Sequence, residues 1–362
     1  MQLMIRRLFV FFFLVLVLPA TLWAQPGLQK ALQVQQLHRK QLFAIQGVEA
    51  TGISTDANGN AILKVYLRNG KVAGVPAALG GVGVQKFVSG PINAWPDMKA
   101  QRGKPGGNGG GSSPTDRFER AVPIGVSLGT YKYGESNYCF AGTLGCRLKA
   151  NLPNGSVAYY ILSNNHVIAD QNGGNINSDA IIQPGTLDNN CTFEAEDIVG
   201  QLSNFVEIDF AGDNYVDAAI ASTTTDMVGV ATPTDGYGTP TAALEDASVG
   251  LLVKKYGRTT GYTEGYVDSI HVEVNVGYDG GTAHFVDQVL IIGQTQRGKK
   301  LVNSAFSDSG DSGSLIVTQE GNHPTALLFA GNSTVTVGNP IDAVLSEFST
   351  QLQAVVQVDD GN

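Results

Sequence analysis

From Phe118 to about residue 340 the chain is a succession of short apolar segments separated by Gly, Asn, Asp and Thr residues. Examples are residues 159–162, 251–255, 262–276, 285–292, 315–318 and 326–329. No long helical pattern interrupts them, which is typical of an all-β barrel or sandwich. Asn339 and Pro340 then fit the N-cap and first position of a helix, since apolar residues follow at helical spacing. We therefore predict an all-β domain that ends in one helix.

A smaller unit precedes this domain. Residues 27–45 have moderate helical periodicity, and residues 47–54, 61–67 and 82–89 have the composition of strands. The first two strands flank an Asn58-Gly59 step, which is a strong hairpin signal. The same loop could also be read as part of a calcium site. It lacks the carboxylates and distal Glu of an EF-hand loop, so we favour the turn and a small α/β unit.

Between these two parts, residues 99–116 are rich in Gly, Pro and Ser and contain almost nothing that could join a core. Such a composition predicts an exposed linker. The expected organisation is therefore a small α/β N-terminal domain over residues 25–98, the linker, and the all-β domain over residues 117–362. The N-terminal domain could be a pro-region, or a binding or folding module that stays attached.

Residues 1–24 carry a targeting pattern. Arg6 and Arg7 precede an unbroken apolar run, and Ala24 ends the pattern. This predicts a secretory signal peptide that is cleaved after Ala24, hence a secreted or periplasmic protein. The rival is an uncleaved membrane anchor, but the run is shorter than the about 20 residues that a spanning helix needs. We expect no stable membrane association after cleavage.

Charge and cysteine content exclude some partners and cofactors. The formal net charge of the chain is −9, so binding to nucleic acid through its phosphates is disfavoured. Its three cysteines are Cys139, Cys146 and Cys191. In an exported protein they can form a disulfide, but the sequence does not decide the pairing. We expect structural cysteines, no metal site and no cofactor.

Three short segments carry the chemistry. Ser163-Asn164-Asn165-His166-Val167 supplies a histidine, Val216-Asp217-Ala218-Ala219-Ile220 an aspartate, and Gly310-Asp311-Ser312-Gly313-Ser314 a serine. A serine hydroxyl becomes a useful nucleophile when a base lies within hydrogen-bond reach and a carboxylate orients that base. We predict Ser312 as nucleophile, His166 as general base and then acid, and Asp217 as the orienting carboxylate.

The Gly310-Asp311-Ser312-Gly313 segment resembles the signature of the trypsin-like serine peptidases, in which the order along the chain is also His, Asp, Ser. The resemblance implies a double six-stranded β-barrel of chymotrypsin type with a C-terminal helix. It also implies an oxyanion hole formed by the backbone N–H groups of Gly310 and Ser312. Protein or peptide substrates are the implied partners.

The resemblance is incomplete around the other two motifs. Ser-Asn-Asn-His stands where many relatives carry Thr-Ala-Ala-His, and the Cys that often follows the histidine is absent. Asp209 and Asp213 are rivals of Asp217. We rank Asp217 first because residues 217–220 match the family pattern Asp-Ile-Ala-Leu most nearly.

A fourth segment, Gly257-Arg258-Thr259-Thr260-Gly261, is similar to one in secreted bacterial relatives such as α-lytic protease and the streptogrisins. More loosely, the order of motifs resembles that of the plant narrow-leaf proteases. In the bacterial relatives an arginine pairs with the aspartate before the nucleophile, and its position falls on Lys255. The resemblance thus implies that Lys255, or alternatively Arg258, holds Asp311 and keeps the oxyanion hole formed.

Substrate preference depends on the pocket beside the nucleophile. In this fold the pocket wall would come from residues near Phe306, Phe329 and Gly331. No aspartate lies six residues before Ser312, which disfavours cleavage after Arg or Lys. Ser314 is shared with glutamyl-specific relatives, but their pocket histidine has no evident counterpart here, and we expect an apolar or small residue before the cleaved bond. A secreted serine endopeptidase is the leading hypothesis. The alternatives are a catalytically silent homologue that acts as a secreted binding protein, and an esterase with the same residues.

Overall fold

The computed structural model describes residues 26–94, 113–132 and 139–362. The predicted signal peptide and most of the predicted linker lie outside these residues. The predicted fold class is confirmed, because the chain forms two curled β-sheets in the chymotrypsin manner, with a helix near its C-terminus.

The elements are numbered along the chain. The N-terminal unit contains α1 (Pro26–Phe43), β1 (Val48–Thr55), β2 (Ala61–Leu67), β3 (Ala78–Leu79) and β4 (Val82–Val88). Next come β5 (Ser127–Tyr131), β6 (Gly142–Thr143), β7 (Cys146–Asn151), β8 (Val157–Ser163), α2 (Asn165–Ile168), β9 (Ala180–Ile182), β10 (Ile198–Phe205), β11 (Asp213–Asn214) and β12 (Ala219–Thr223). The remainder contains β13 (Leu252–Gly257), β14 (Gly261–Tyr278), β15 (Gly281–Arg297), β16 (Lys300–Ser304), β17 (Leu315–Thr318), β18 (Pro324–Gly331), β19 (Thr336–Pro340), α3 (Ile341–Leu352) and β20 (Val355–Val358).

The first sheet has eight strands in the order β20-β7-β8-β12-β10-β9-β5-β6. Its apolar cluster includes Leu148, Leu162 and Ile220, and α3 adds Val344 and Phe348 to the same cluster. The last strand of the chain therefore returns to the first sheet, and the terminal helix closes that sheet's core.

The second sheet has twelve strands in the order β11-β15-β19-β18-β17-β13-β14-β1-β2-β4-β3, with β16 paired to β15. Its central feature is the hairpin of β14 and β15, which have 18 and 17 residues. Strands of this length exceed the usual five or six residues. One part of β14 pairs with β13, and another part pairs with β1.

The N-terminal unit is joined to the second sheet and does not form a sheet of its own. β1 runs antiparallel to β14, with Ala50 opposite Val274 and Ile53 opposite Ile270. A buried ion pair joins Lys64 Nζ to Asp268 Oδ1 at 2.7 Å. Because β1 continues the hydrogen-bond ladder of β14, separating the two would leave a long row of unpaired backbone groups.

The C-terminal helix begins later than its predicted cap. Pro340 occupies the N-cap position of α3, and no side chain caps the helix. Asn339 is completely buried, and its side chain bonds Gln288 Oε1 at 2.6 Å and the backbone N–H of Asp217 at 3.1 Å. The prediction of Asn339 as N-cap is therefore wrong, since the amide serves the loop that carries Asp217.

The cysteines are divided between one disulfide and one thiol. Cys139 and Cys191 are bonded to each other, and Cys146 is free and buried in the first sheet. Burial raises the pKa of the Cys146 thiol far above its ordinary value, so it is not a nucleophile at neutral pH. Of the helices that the structure describes, none combines the length and the apolar character needed to span a bilayer.

Candidate active site

His166 and Asp217 are brought together by the pairing of two strands in the first sheet. β8 ends at Ser163 and is followed at once by the short helix α2, which carries His166. β12 begins at Ala219, which lies opposite Ser163 in the ladder. Asp217, just before β12, is therefore placed beside the start of α2.

The contact between these two side chains is close and buried. His166 Nδ1 lies 2.6 Å from Asp217 Oδ2, and the backbone N–H of His166 donates to Asp217 Oδ1 at 3.3 Å. Asp217 is completely buried and His166 is 3% exposed. A carboxylate buried in this way needs several hydrogen-bond donors, and His166 supplies two of them, its ring Nδ1 and its backbone N–H.

Tyr278, at the end of β14, supplies a third donor. Its hydroxyl donates to Asp217 Oδ2 at 2.8 Å, and its ring lies edge-on to the imidazole of His166. Burial and the negative charge of Asp217 raise the pKa of Tyr278 well above its ordinary value, so the phenol stays protonated and remains a donor. Nothing in the three sequence motifs pointed to this residue.

Asn164 and Asn339 hold the backbone of Asp217. Asn164 Nδ2 donates to the Asp217 carbonyl at 2.7 Å, and Asn339 Oδ1 accepts from the Asp217 N–H at 3.1 Å. Asp217 is thus fixed at its backbone and at its carboxylate. The rivals lie elsewhere: Asp209 is exposed, and Asp213 pairs with Arg39 of α1.

Ser312 lies on a tight turn between β16 and β17, where the two sheets meet. Gly313 in this turn has φ +96, and a Cβ there would lie 2.3 Å from both Ser163 Oγ and the Thr143 carbonyl. Only glycine fits this approach. Thr143 of β6 also donates its backbone N–H to the Ser312 carbonyl and its hydroxyl to the Gly310 carbonyl, each at 2.8 Å.

Several polar atoms of this turn make no hydrogen bond to any residue that the structure describes. Within the described residues, neither the N–H of Gly310 nor that of Ser312 donates to a protein acceptor. Ser312 Oγ and His166 Nε2 are both buried and have no hydrogen-bond partner among the residues that the structure describes, so no hydrogen bond joins the two atoms. In enzymes without substrate such bonds are often long, and they tighten when a substrate binds.

Asp311, next to Ser312, is completely buried and accepts several hydrogen bonds. Thr259 N and Thr260 N donate to Asp311 Oδ1 at 2.9 and 3.2 Å. Thr260 Oγ1 and Asp308 N donate to Asp311 Oδ2 at 2.7 and 2.9 Å. These bonds hold the loop before the nucleophile on the Thr259-Thr260 turn.

Of the two cations expected to hold Asp311, only Lys255 contacts its carboxylate. Lys255 Nζ lies 3.5 Å from Asp311 Oδ2 and donates to Thr260 Oγ1 at 2.5 Å. Burial lowers the pKa of Lys255, and the charge of Asp311 opposes that shift. Arg258 instead forms a bidentate pair with Asp188 at 2.6 and 2.7 Å. Arg258 therefore does not contact Asp311 in this structure, because its guanidinium is paired with Asp188.

The two aromatic side chains expected in the pocket wall, Phe306 and Phe329, are buried in the second sheet. Phe306 is 2% exposed and packs in an apolar cluster of the second sheet, while Phe329 packs against Phe285 with ring centroids 4.7 Å apart. Both aromatic side chains therefore belong to the core. The polar group near them is a buried pair of hydroxyls, Ser307 Oγ and Thr336 Oγ1, 2.5 Å apart. Gly331 lies opposite Thr336 in the ladder.

No protein-family model matches the chain, and no curated protein matches it. Among solved structures, Thermobifida fusca protease A is 19% identical with a TM-score of 0.42, and the match covers 66% of this chain and 100% of that one. Cellulomonas bogoriensis chymotrypsin is 16% identical with a TM-score of 0.41, and the match covers 66% and 98%. A glutamic acid-specific serine protease is 18% identical with a TM-score of 0.40, and the match covers 66% and 100%. At these identities and TM-scores, the three structures carry no conclusion about the chemistry of this chain.

Proposed function

We propose that the protein is an exported serine endopeptidase that hydrolyses peptide bonds through an acyl-enzyme intermediate. One observation carries the proposal. A buried His166–Asp217 pair lies at the paired ends of β8 and β12, and Ser312 lies on a glycine-framed turn whose backbone is hydrogen-bonded to Thr143 of the same sheet. The N–H groups of Gly310 and Ser312 at that turn bond to no protein acceptor among the described residues.

The proposed reaction has two halves, acylation of Ser312 and hydrolysis of the acyl-enzyme. His166 Nε2 takes the proton of Ser312 Oγ as that oxygen attacks the substrate carbonyl carbon. The Gly310 and Ser312 N–H groups stabilise the negative charge that forms on the carbonyl oxygen. The C–N bond breaks, the imidazolium gives its proton to the leaving amine, and an acyl-serine remains. His166 then takes a proton from water as the water oxygen attacks the acyl carbon. The bond between that carbon and Ser312 Oγ breaks, the imidazolium returns its proton to Oγ, and the acid leaves.

A test of the proposal is labelling of the purified full chain with a fluorophosphonate, which reacts with activated serines. We expect about one label per molecule, located on Ser312 by peptide mapping, together with hydrolysis of unstructured protein substrates. Turnover of activated esters alone would favour the esterase. A folded protein that takes up no label would favour the silent homologue, for which the unmade Ser312–His166 bond is the specific supporting observation.

Tyr278 provides a prediction about positioning. Tyr278→Phe removes one donor from Asp217 Oδ2 and keeps the ring against His166. Bonds to charged groups contribute about 1.5–3 kcal/mol, and only part of that is felt in the transition state, so we expect kcat to fall about tenfold. KM should change little, because Tyr278 acts through Asp217.

The matched control for this prediction is Tyr266→Phe on the same strand. Within the described part of the chain, the Tyr266 hydroxyl makes no hydrogen bond to protein. We expect this variant to keep wild-type kcat, and the NMR signal of the His166 Nδ1 proton to move only in Tyr278→Phe. Equal kcat values for the two variants would contradict the positioning role.

A further inference from the structure

One edge of β18 lies directly beside Ser312. β17 pairs with β18 only as far as Leu315 opposite Leu327. Past that point the Ser312 turn itself bonds the strand, since Gly313 N donates to the Leu328 carbonyl at 2.9 Å. The Leu328 N–H in turn donates to the Ser314 carbonyl at 3.0 Å, so Leu328 is fully paired on this side of β18, and residues 329–331 lie beyond both β17 and the Ser312 turn.

The chain's own residues 91–94, which follow the N-terminal unit, occupy the far end of this edge. Gly331 N donates to the Asn93 carbonyl at 2.9 Å, and Asn93 N donates to the Gly331 carbonyl at 3.4 Å. The pairing is antiparallel, so residues 92–94 run in the direction that leads along β18 from Gly331 toward Leu328 and Ser312. On the other flank, Ala94 N donates to the Gly277 carbonyl at 3.0 Å.

An extended peptide that presents a carbonyl to Ser312 would gain backbone hydrogen bonds from the same edge. Addition of a strand to an exposed edge is a common way for proteins to bind peptides, because the backbone bonds are independent of side chains. Gly331 offers one donor and one acceptor for such a pairing, and Asn93 takes both. The two occupants therefore exclude each other.

We propose that residues 91–94 are a built-in competitor that closes this edge to peptide substrates in the intact chain. The inference rests on the proposed function. Its consequence is that a substrate gains little from residues far on the amino side of the scissile bond, since they find no backbone partner at Gly331. The occupant is a segment of this chain and not a second molecule.

The burial of the segment indicates that it is firmly held. Ile92 and Ala94 are each 1% exposed, and they belong to the same apolar cluster as Phe285 and Phe329. Asn332 Nδ2 also donates to the Pro91 carbonyl at 2.7 Å. Removal of the segment would expose apolar side chains and break backbone bonds on both flanks, so substrate does not displace it readily.

The test is a series of peptide substrates that share one scissile bond and carry one, two or four residues on its amino side. Active sites are first counted with the fluorophosphonate, which needs no strand edge. For the full-length wild type we expect kcat/KM to change less than about threefold between two and four residues. A gain of tenfold or more would overturn the proposal, because it would show a free edge.

Asn93→Pro removes the N–H that donates to the Gly331 carbonyl and so weakens the antiparallel pairing of residues 92–94 with β18. We expect this variant to gain about tenfold or more on the four-residue substrate and little on the one-residue substrate. Asn93→Ala is the matched control, since it keeps the backbone pairing and should behave as wild type. A gain in both variants would contradict the proposal.

Hydrogen exchange separates failure of this inference from failure of the proposed function. The Gly331 amide should exchange slowly in the full chain, whether or not the protein takes up fluorophosphonate. Slow exchange without labelling would remove the peptidase and keep the closed edge. Exchange of Gly331 as fast as an exposed amide would remove the closed edge, even in an active enzyme.

Discussion

Ser312→Ala is expected to lower kcat/KM for peptide hydrolysis about 10⁴-fold or more and to abolish fluorophosphonate labelling. The hydroxyl oxygen is the atom that would form the acyl bond, so no other group of the site can replace it. The remaining turnover would come from the two N–H groups at Gly310 and Ser312 and from binding alone. The measurement is kcat/KM with a peptide substrate, normalised to folded protein.

Although it removes activity, Ser312→Ala is expected to preserve or increase the stability of the fold. Ser312 Oγ is buried and has no hydrogen-bond partner in the described part of the chain, and an unsatisfied buried polar group costs about 1–3 kcal/mol. Alanine removes that group and leaves the backbone bonds of the turn in place. We therefore expect the free energy of unfolding of Ser312→Ala to equal or exceed that of the wild type by about 1 kcal/mol.

The control for both effects is Ser309→Ala in the same loop. Ser309 is partly exposed and its carbonyl, not its hydroxyl, accepts a bond from Thr259. Its removal should change neither kcat/KM nor labelling. A Ser312→Ala protein that still takes up the label, or one that is inactive because it unfolds, would contradict the assignment of Ser312.

The sequence predicted those parts of the fold that depend on local pattern. The apolar segments became β8, β13, β14, β15, β17 and β18, and the Asn58-Gly59 step lies in the turn between β1 and β2. The union of the N-terminal unit with the second sheet was not predictable in this way. It depends on the pairing of β1 with β14, and a strand's sequence does not specify which distant edge it joins.

In the site, too, the residues in local motifs were predictable and the residues that reach it from distant strands were not. His166, Asp217 and Ser312 stand in short motifs, and the structure places all of them at the junction of the sheets. Tyr278 and Asn339 support Asp217 from elements that follow it by 61 and 122 positions, and neither stands in a motif. The sequence offered one signal, because a buried carboxylate needs more hydrogen-bond donors than one histidine supplies. That signal predicts further donors but does not identify the residues.

The contacts of the N-terminal unit with the second sheet say more about its role than its composition does. A glycine-rich linker suggested a separable module, yet Lys64 and Asp268 form a buried ion pair across the boundary. Removal of one partner would leave an uncompensated buried charge, which costs about 3–5 kcal/mol. The same unit delivers residues 91–94 to the edge of β18, so its attachment and the access of substrates are linked.

Asp217→Asn is expected to lower kcat about 10⁴-fold near neutral pH while the protein remains folded. Asp217 Oδ2 faces His166 Nδ1 and the Tyr278 hydroxyl, and Oδ1 faces the His166 backbone N–H. An asparagine amide nitrogen at the position of Oδ2 would itself donate, and it would face the two donors His166 Nδ1–H and Tyr278 O–H. The imidazole would then accept at Nδ1 and carry its proton on Nε2. A ring protonated there cannot accept the proton of Ser312.

Asp209→Asn and Asp213→Asn are the matched controls, because these two carboxylates are the rivals of Asp217 in the sequence. Asp209 is exposed, and Asp213 forms a partly exposed pair with Arg39, which contributes at most about 1 kcal/mol. Each control should keep kcat within about threefold of wild type. Loss of kcat in either control, with Asp217→Asn active, would transfer the orienting role to that aspartate.

A double substitution then tests whether Tyr278 acts through Asp217. In the wild type Tyr278→Phe removes a bond to the carboxylate that orients His166, and about a tenfold fall in kcat is expected. In Asp217→Asn that carboxylate is already gone, so Tyr278→Phe should change kcat much less. Groups that act through one shared bond are not additive, and the difference between the two effects measures their coupling. Equal effects in both backgrounds would show that Tyr278 influences the site by another route.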